Sequence, residues 1–140
     1  MRFWDSSALV PLLIAEEAAG RLAALLEIDD NMAVWWGTLI ECDAALARRQ
    51  RDGSLQDADA SAARSRLSRY AGIWSEIAPS NQVRDQARRH LRIHSLRAAD
   101  ALQLAAALAF ANHEPAGVEF VCLDERLADA AAREGFSVVG

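Results

Sequence analysis

The chain has 140 residues, of which 52% are hydrophobic and 25% are charged. This is enough for one domain with a hydrophobic core, and we expect a single domain over residues 1–140. No apolar run reaches the ~20 residues that a membrane helix needs. The start, Met1-Arg2-Phe3-Trp4-Asp5, places a carboxylate where a secretory signal needs an apolar segment. We therefore expect a cytoplasmic protein without a membrane span.

All 15 basic residues are arginine, and lysine is absent. This excludes a Walker-type phosphate loop, aspartyl-phosphate sites that need a neighbouring lysine, and Schiff-base chemistry. The formal net charge of -5 argues against nucleic-acid binding by bulk positive charge, so such binding needs a local arginine patch or bound cations. Cys42 and Cys122 lie in apolar surroundings and are predicted to be buried free thiols.

Short apolar runs alternate with longer helical patterns along the chain, which is typical of an α/β fold built from βαβ units. We expect a mainly parallel sheet of four to five strands with helices on both faces. The predicted strands, in chain order, are Arg2–Trp4, Met32–Trp36, a weak strand near Ile77, Val118–Leu123 and Ser137–Val139. The predicted helices are Ala8–Ile28 with a candidate break near Ala15, Leu39–Arg51, Asp57–Trp74, Asn81–Leu91, Ala98–Ala111 and Arg126–Glu134.

Acidic side chains follow three of the predicted strands. Asp5 comes directly after the first strand, Thr38 and Glu41 follow the second, and Asp124 follows the fourth. Ligands of parallel α/β sheets gather at the carboxyl ends of the strands, because loops and helix N-termini meet there. These residues are therefore candidates for a functional site.

Each of these residues also has a purely structural explanation. Asp5 and Asp124 could be N-caps that accept hydrogen bonds from the helices after them. Thr38-x-x-Glu41 matches a capping box. Capping does not exclude catalysis, since both roles belong at helix N-termini above a sheet edge.

Asp100 is a different kind of candidate, because it interrupts the apolar helical run from Ser95 to Leu108. Aspartate is unfavourable inside a helix, so its presence there calls for a reason. A solvent-facing ion pair with Arg97, three residues earlier, is the structural alternative.

Four segments carry short motifs in one order from end to end of the chain: Trp4–Val10, Thr38–Leu46, Leu96–Ala105 and Phe120–Leu127. On these segments the chain resembles the PIN-domain ribonuclease family, and specifically the VapC-like toxins of bacterial toxin–antitoxin pairs. The resemblance implies a PIN-like α/β/α sandwich that cleaves RNA with the help of a metal ion.

Carried over residue by residue, the resemblance implies a catalytic, metal-binding quartet of Asp5, Glu41, Asp100 and Asp124, with Ser7 supplying a hydroxyl beside it. The chain departs from the family pattern two positions before the last acid. The family often has threonine there, whereas this chain has Cys122, and a thiol is a weaker hydrogen-bond partner.

Four gathered carboxylates repel one another, since a like-charge pair at ~4 Å costs roughly 4 kcal/mol at an effective dielectric constant of 20. A site of oxygen ligands alone selects Mg²⁺ or Mn²⁺. We expect hydrolysis of RNA at such a site. The expected partners are an RNA substrate, a cognate antitoxin protein that covers the acidic site, and a second copy of the chain in a homodimer.

Two other functions stay open at this stage. The chain could be a catalytically inactive PIN-fold interaction module in which the acids serve only as helix caps. It could also be a related nuclease that acts on DNA, although no insertion is available to grip a duplex.

Several other groups have structural interpretations by default. Two arginine clusters are interpreted as solvated helix faces, with contact to phosphate groups as the alternative. One cluster comprises Arg84, Arg88, Arg89 and Arg92, and the other comprises Arg48, Arg49 and Arg51. The histidines His90, His94 and His113 are expected in surface or capping roles, and Trp35 and Trp36 in the core. An apolar strip is interpreted as core, with part of it as a candidate dimer or antitoxin groove, and it comprises Leu9, Leu12, Leu13, Leu22, Leu25 and Leu26.

Overall fold

Five parallel strands and seven helices make up the computed structural model, which describes all residues from Met1 to Gly140. The strands are β1 Arg2–Trp4, β2 Met32–Trp35, β3 Ser75–Ile77, β4 Glu119–Val121 and β5 Ser137–Val139. The helices are α1 Ser6–Ile14, α2 Ala19–Ile28, α3 Thr38–Arg51, α4 Asp57–Ala71, α5 Asn81–Ile93, α6 Ala98–Phe110 and α7 Glu125–Glu134. The α/β class is confirmed, and the sheet is parallel throughout.

The strand order is β3-β2-β1-β4-β5. From β1 the chain moves outwards through β2 to β3, then crosses to the other side of β1 to form β4 and β5. The direction of the connections therefore reverses between β1 and β4. In open α/β sheets this reversal opens a crevice beyond the carboxyl ends of the two strands, where ligands bind.

Side chains alternate between the two faces of the sheet, so each face has its own core. Phe3 packs with α5, α6 and α7 on one face, through residues such as Val83, Leu104 and Leu127. The next residue, Trp4, packs on the other face with helices α1 to α4. This arrangement confirms the predicted α/β/α sandwich.

The candidate break near Ala15 in the first predicted helix, Ala8–Ile28, is confirmed, because this segment forms two helices. Ala15 has a φ of 53°, in the left-handed region that ends a helix. The amide groups of Ala15 and Glu16 both donate to the carbonyl of Pro11, with the second bond at 3.1 Å. The chain then reverses into α2.

The structure corrects two expectations about burial. Trp35 lies in the core as expected, but Trp36 is 57% exposed because it follows the last residue of β2. His90 was expected at the surface or in a cap and is instead fully buried. It lies on the face of α5 that packs against the body of the molecule, and its Nε2 is 3.6 Å from Glu134 of α7.

Other expectations about burial hold. Both cysteines are buried and free. Half of the apolar strip is core and the other half is partly buried against it, so most of the strip packs inside this chain. None of the helices has the length and hydropathy needed to cross a membrane.

Candidate metal centre

The five residues singled out from the sequence all line one cleft beyond the carboxyl ends of β1 and β4. They are Asp5, Ser7, Glu41, Asp100 and Asp124. The cleft has a volume of about 270 Å³, and we call it the acidic cleft. It lies where the direction of the strand connections reverses, so the topology brings together side chains that are distant in sequence.

Asp5 is at the floor of the acidic cleft and is only 3% exposed. It caps α1, as predicted, by accepting a hydrogen bond of 3.0 Å from the amide of Ser7. Burial raises the pKa of its carboxyl, and the negative charge of Asp100 adds to the rise. The carboxylate form is thus held here at an electrostatic cost that a cation can offset.

Glu41 projects from the first turn of α3 and is held by two side chains. Its Oε2 accepts a 2.8 Å hydrogen bond from Gln103, and its Oε1 accepts one of 3.3 Å from the hydroxyl of Ser6. Burial raises the pKa of Glu41 to about 7, and the charge of Asp5 adds to the rise. Near neutral pH the protonated and the charged forms of Glu41 are therefore both populated.

The predicted capping box of Thr38 and Glu41 does not form. The N-cap of α3 is Gly37, one residue earlier than the motif requires, and it makes no side-chain capping bond. The hydroxyl of Thr38 instead accepts a 2.9 Å hydrogen bond from Gln103. Gln103 therefore bridges Thr38 and Glu41, and a capping role does not explain the glutamate.

Asp100 lies in the first turn of α6 and not inside a longer helix, because α6 begins at Ala98. Its Oδ2 accepts a 3.3 Å hydrogen bond from the backbone amide of Arg97, and the structural alternative, an ion pair with the Arg97 side chain, does not form. Burial raises the pKa of Asp100, and the charge of Asp124 contributes to the rise. Acidic residues are favourable in this first turn, which explains the position without recourse to catalysis.

Ser7 ties the two sides of the acidic cleft together. Its hydroxyl oxygen accepts hydrogen bonds of 3.0 Å from the amide of Leu123 and 3.2 Å from the amide of Asp124. Asp124 caps α7, as predicted, by accepting a 2.9 Å bond from Leu127. The serine therefore fixes the exit of β4 against the start of α1.

Cys122, which replaces the threonine common in the family that the sequence resembles, faces Asp5. Its buried thiol lies 3.4 Å from the backbone carbonyl oxygen of Asp124 and 3.8 Å from Asp5 Oδ2, and its single hydrogen can be donated to either one. Burial raises the pKa of the thiol to about 12, so it remains protonated and able to donate. The departure from threonine leaves a weaker donor in place and does not leave a gap.

Three further residues of the site were missed from the sequence, and a fourth, Arg49, was named there only as a member of an arginine cluster with phosphate contact as the alternative. Ser6 and Gln103 hold Glu41, and Glu16 and Arg49 line the acidic cleft. A polar signal existed for Gln103, which is a fully buried amide in an alanine-rich helix, one turn after Asp100. The signal that could have singled out Arg49 is its spacing of eight residues from Glu41, which places both on one stripe of α3.

The acids do not form a preformed cage for a cation. No group of three or more His, Cys, Asp or Glu side chains is arranged to hold a metal ion as it stands. Mg²⁺ commonly keeps several waters and takes only one or two protein carboxylates. The raised pKa values of Asp5, Glu41 and Asp100 reflect burial and mutual repulsion, which a divalent ion would relieve.

Neither a protein-family model nor a curated protein sequence matches the chain. Among solved structures, PAE2754 from Pyrobaculum aerophilum superposes with a TM-score of 0.69 at 19% identity, over 98% of this chain and 87% of that chain. FitAcB from Neisseria gonorrhoeae superposes with a TM-score of 0.64 at 18% identity, over 100% of this chain and 97% of that chain.

The topology defines an α/β/α protein with an acidic cleft at the reversal of its parallel sheet. The two structural neighbours are PIN-fold proteins, and the chain has a PIN-like fold. At these identities the likeness concerns the fold alone.

Proposed function

We propose that the protein is a metal-dependent endoribonuclease, the toxin of a bacterial toxin–antitoxin pair, which hydrolyses RNA in the acidic cleft. The observation that carries the proposal is the gathering of four acids in that cleft, three of them with raised pKa values. Burying repelling carboxylates destabilises a fold unless a cation compensates for them.

Asp5, Glu41 and Asp100 would hold Mg²⁺ or Mn²⁺ directly or through water, and Asp124 would bind or orient a second ion or a water molecule. When bound, such an ion acidifies a water molecule for attack on phosphorus and stabilises the departing 3′-oxygen. The protein's own contribution is orientation. Gln103 and Ser6 fix Glu41, and the hydroxyl of Ser7 fixes the loop that carries Asp124.

The proposal includes protein partners. The fold likeness to FitAcB, which extends over this whole chain, supports a toxin–antitoxin assignment and therefore an antitoxin. A basic side chain of that antitoxin would neutralise the acidic cleft in the inactive complex. We also propose that the toxin is a homodimer, as the resemblance implies.

The first test is replacement of single acids by their amides. Asp5→Asn and Asp100→Asn each remove a charge with little change in shape, and both should lower Mn²⁺-dependent RNA cleavage at least about a hundredfold. Both should also abolish growth arrest when the protein is expressed. Gel-based cleavage of total RNA and growth curves measure these effects.

Asp59→Asn is the matched control, because Asp59 is an exposed acid in the first turn of α4. It should leave cleavage and toxicity unchanged. Full toxicity of both Asp5→Asn and Asp100→Asn would refute the proposed function.

An inactive interaction module is the second candidate, because helix capping accounts for much of the cluster. Asp5 and Asp124 are caps, and Asp100 bonds to the start of its own helix. Capping does not account for Glu41, which is buried beside Asp5. Calorimetric titration separates the two functions, since a module would bind no Mn²⁺ at millimolar concentration. Incubating the purified protein with DNA in parallel with RNA tests the remaining alternative, a related nuclease that cleaves DNA.

A further inference from the structure

Arg49 is the one basic side chain among the residues that line the acidic cleft. Five acids line the same cleft: Asp5, Glu16, Glu41, Asp100 and Asp124. RNA carries a negative charge at every phosphate, so a strand entering this cleft meets strong repulsion outside any bound metal. A cation that faces the cleft is therefore the natural contact for the RNA backbone.

The position of Arg49 follows from the period of α3. Glu41, Ala45 and Arg49 are spaced four residues apart, which places all three on one stripe of the helix, and all three line the cleft. At about 1.5 Å per residue, Arg49 begins ~12 Å along the helix from Glu41. The small side chain of Ala45 leaves space between them. Arg49 therefore begins well away from Glu41, one of the acids proposed to hold the metal ion.

Glu16 holds the guanidinium of Arg49 at the rim of the cleft. Arg49 Nη1 donates to Glu16 Oε1, and the two side chains are 32% and 36% exposed. Glu16 follows directly after Ala15, whose left-handed backbone turns the chain at the end of α1 and places the glutamate opposite α3. An ion pair that is partly exposed to solvent is weakened by it, so a phosphate can displace the carboxylate. Arginine suits this exchange because its planar fork binds carboxylate and phosphate in the same way.

We propose that Arg49 binds the RNA backbone phosphate next to the one that is cleaved, and that Glu16 restrains Arg49 until RNA displaces it. This inference rests on the proposed ribonuclease function and adds a residue that positions the substrate. Arg49 touches neither the metal ligands nor the reacting atoms.

The test uses three variants in Mn²⁺ with a fluorescein-labelled single-stranded RNA that the wild type cleaves. Arg49→Ala should raise KM about tenfold and leave kcat within about twofold, since it removes a contact made equally before and during reaction. The slope of log KM against log salt should fall by about 0.7, the contribution of one phosphate contact to a single strand. Arg49→Lys should raise KM less, and Glu16→Gln should lower KM about threefold by freeing the guanidinium.

Arg48→Ala and Glu17→Gln are the matched controls. Each makes the same charge change one residue away, at an exposed position outside the acidic cleft, and should leave KM and the salt slope unchanged. Calorimetric Mn²⁺ affinity should be the same in all these variants. Because both side chains of the Arg49–Glu16 pair are partly exposed, loss of the pair should not unfold the protein, and circular dichroism would verify this.

The outcomes separate the inference from the function on which it rests. If the wild type cleaves RNA and Arg49→Ala keeps the wild-type KM and salt slope, the role of Arg49 is wrong and the ribonuclease stands. A rise of KM in Glu16→Gln would contradict the restraint. If the wild type binds no Mn²⁺ and cleaves no RNA, both the function and the inference fail.

Discussion

Gln103 shows how a single side chain prepares the acidic cleft. Its amide nitrogen donates to both Thr38 and Glu41 from a fully buried position, while its Oε1 has no hydrogen-bond partner. An unsatisfied buried oxygen costs about 1–3 kcal/mol. The amide therefore orients Glu41 at the expense of stability, and its hydrogen bond lowers the pKa of Glu41 against the effect of burial.

Replacing Gln103 should change the pH dependence of metal binding in the acidic cleft. In Gln103→Leu the pKa of Glu41 should rise further above about 7. The hydrogen bond from Gln103 lowers this pKa, and without it only the side-chain hydrogen bond from Ser6 counteracts the effect of burial. Mn²⁺ competes with the proton for this group, so the pH midpoint of Mn²⁺ binding should move upwards. Calorimetry between about pH 6 and about pH 9 measures the midpoint. Gln86→Leu on α5 is the control, and an equal midpoint in Gln103→Leu and wild type would contradict this role.

At the scale of elements, α7 illustrates how helix ends position the site. Asp124 begins the helix as its N-cap, and Gly135 ends it with a φ of 108°. A Cβ atom on Gly135 would lie 3.1 Å from Cγ of Pro115, so both the backbone and the space favour glycine. This sharp end lets β5 start at Ser137 and pair with β4, whose exit carries Asp124.

Replacing Gly135, which caps the end of α7, and Gly20, which lies within α2, by alanine should have opposite effects on stability. Gly135→Ala should destabilise the protein by about 1–2 kcal/mol, because alanine resists a positive φ and contacts Pro115. Gly20→Ala, at a position in α2 with open space around it, should be neutral or stabilise by up to about 1 kcal/mol. Urea unfolding measures both. Equal effects would show that backbone conformation is not the cause.

At the scale of the whole molecule, charge repulsion in the cleft couples stability to pH and metal. Glu41 ionises near 4.5 in an unfolded chain, but its pKa in the folded protein is about 7. The folded state therefore binds more protons than the unfolded state between these values. Its metal-free stability falls as pH rises through that interval. The raised pKa values of Asp5 and Asp100 act in the same direction.

Mn²⁺ should offset this loss, so its stabilising effect should grow with pH. We expect a millimolar addition to raise Tm little near about pH 5 and by several degrees near about pH 8. The difference between scans with and without metal cancels pH effects elsewhere, such as those of the buried His90. Glu41→Gln should be more stable than the wild type without metal at about pH 8, by about 1–2 kcal/mol, and should lose most of the Mn²⁺ effect. A metal effect independent of pH would contradict this coupling.

Predictions from the sequence mostly succeeded where one local pattern decides the outcome, although the capping box of Thr38 and Glu41 did not form. Strand runs such as Arg2–Trp4 and the caps at Asp5 and Asp124 depend on neighbours within a few residues. Predictions failed where distant segments decide burial. His90 lies among four arginines of α5, which suggests a solvated helix, yet it is on the face that α6 and α7 cover. Trp36 was predicted to end the second strand, but it lies one residue beyond β2 and is exposed.

The sequence by itself determined the α/β class, the order of the elements and the positions of acids after strands, because hydrophobic period and capping are local properties. Only the tertiary structure decided that β4 lies beside β1, which brings Asp124 to Asp5 through the hydroxyl of Ser7. It also decided that Gln103 holds Glu41 and that Glu16 pairs with Arg49. These contacts join residues dozens of positions apart, and they depend on how helices pack on the sheet, which no periodic pattern encodes.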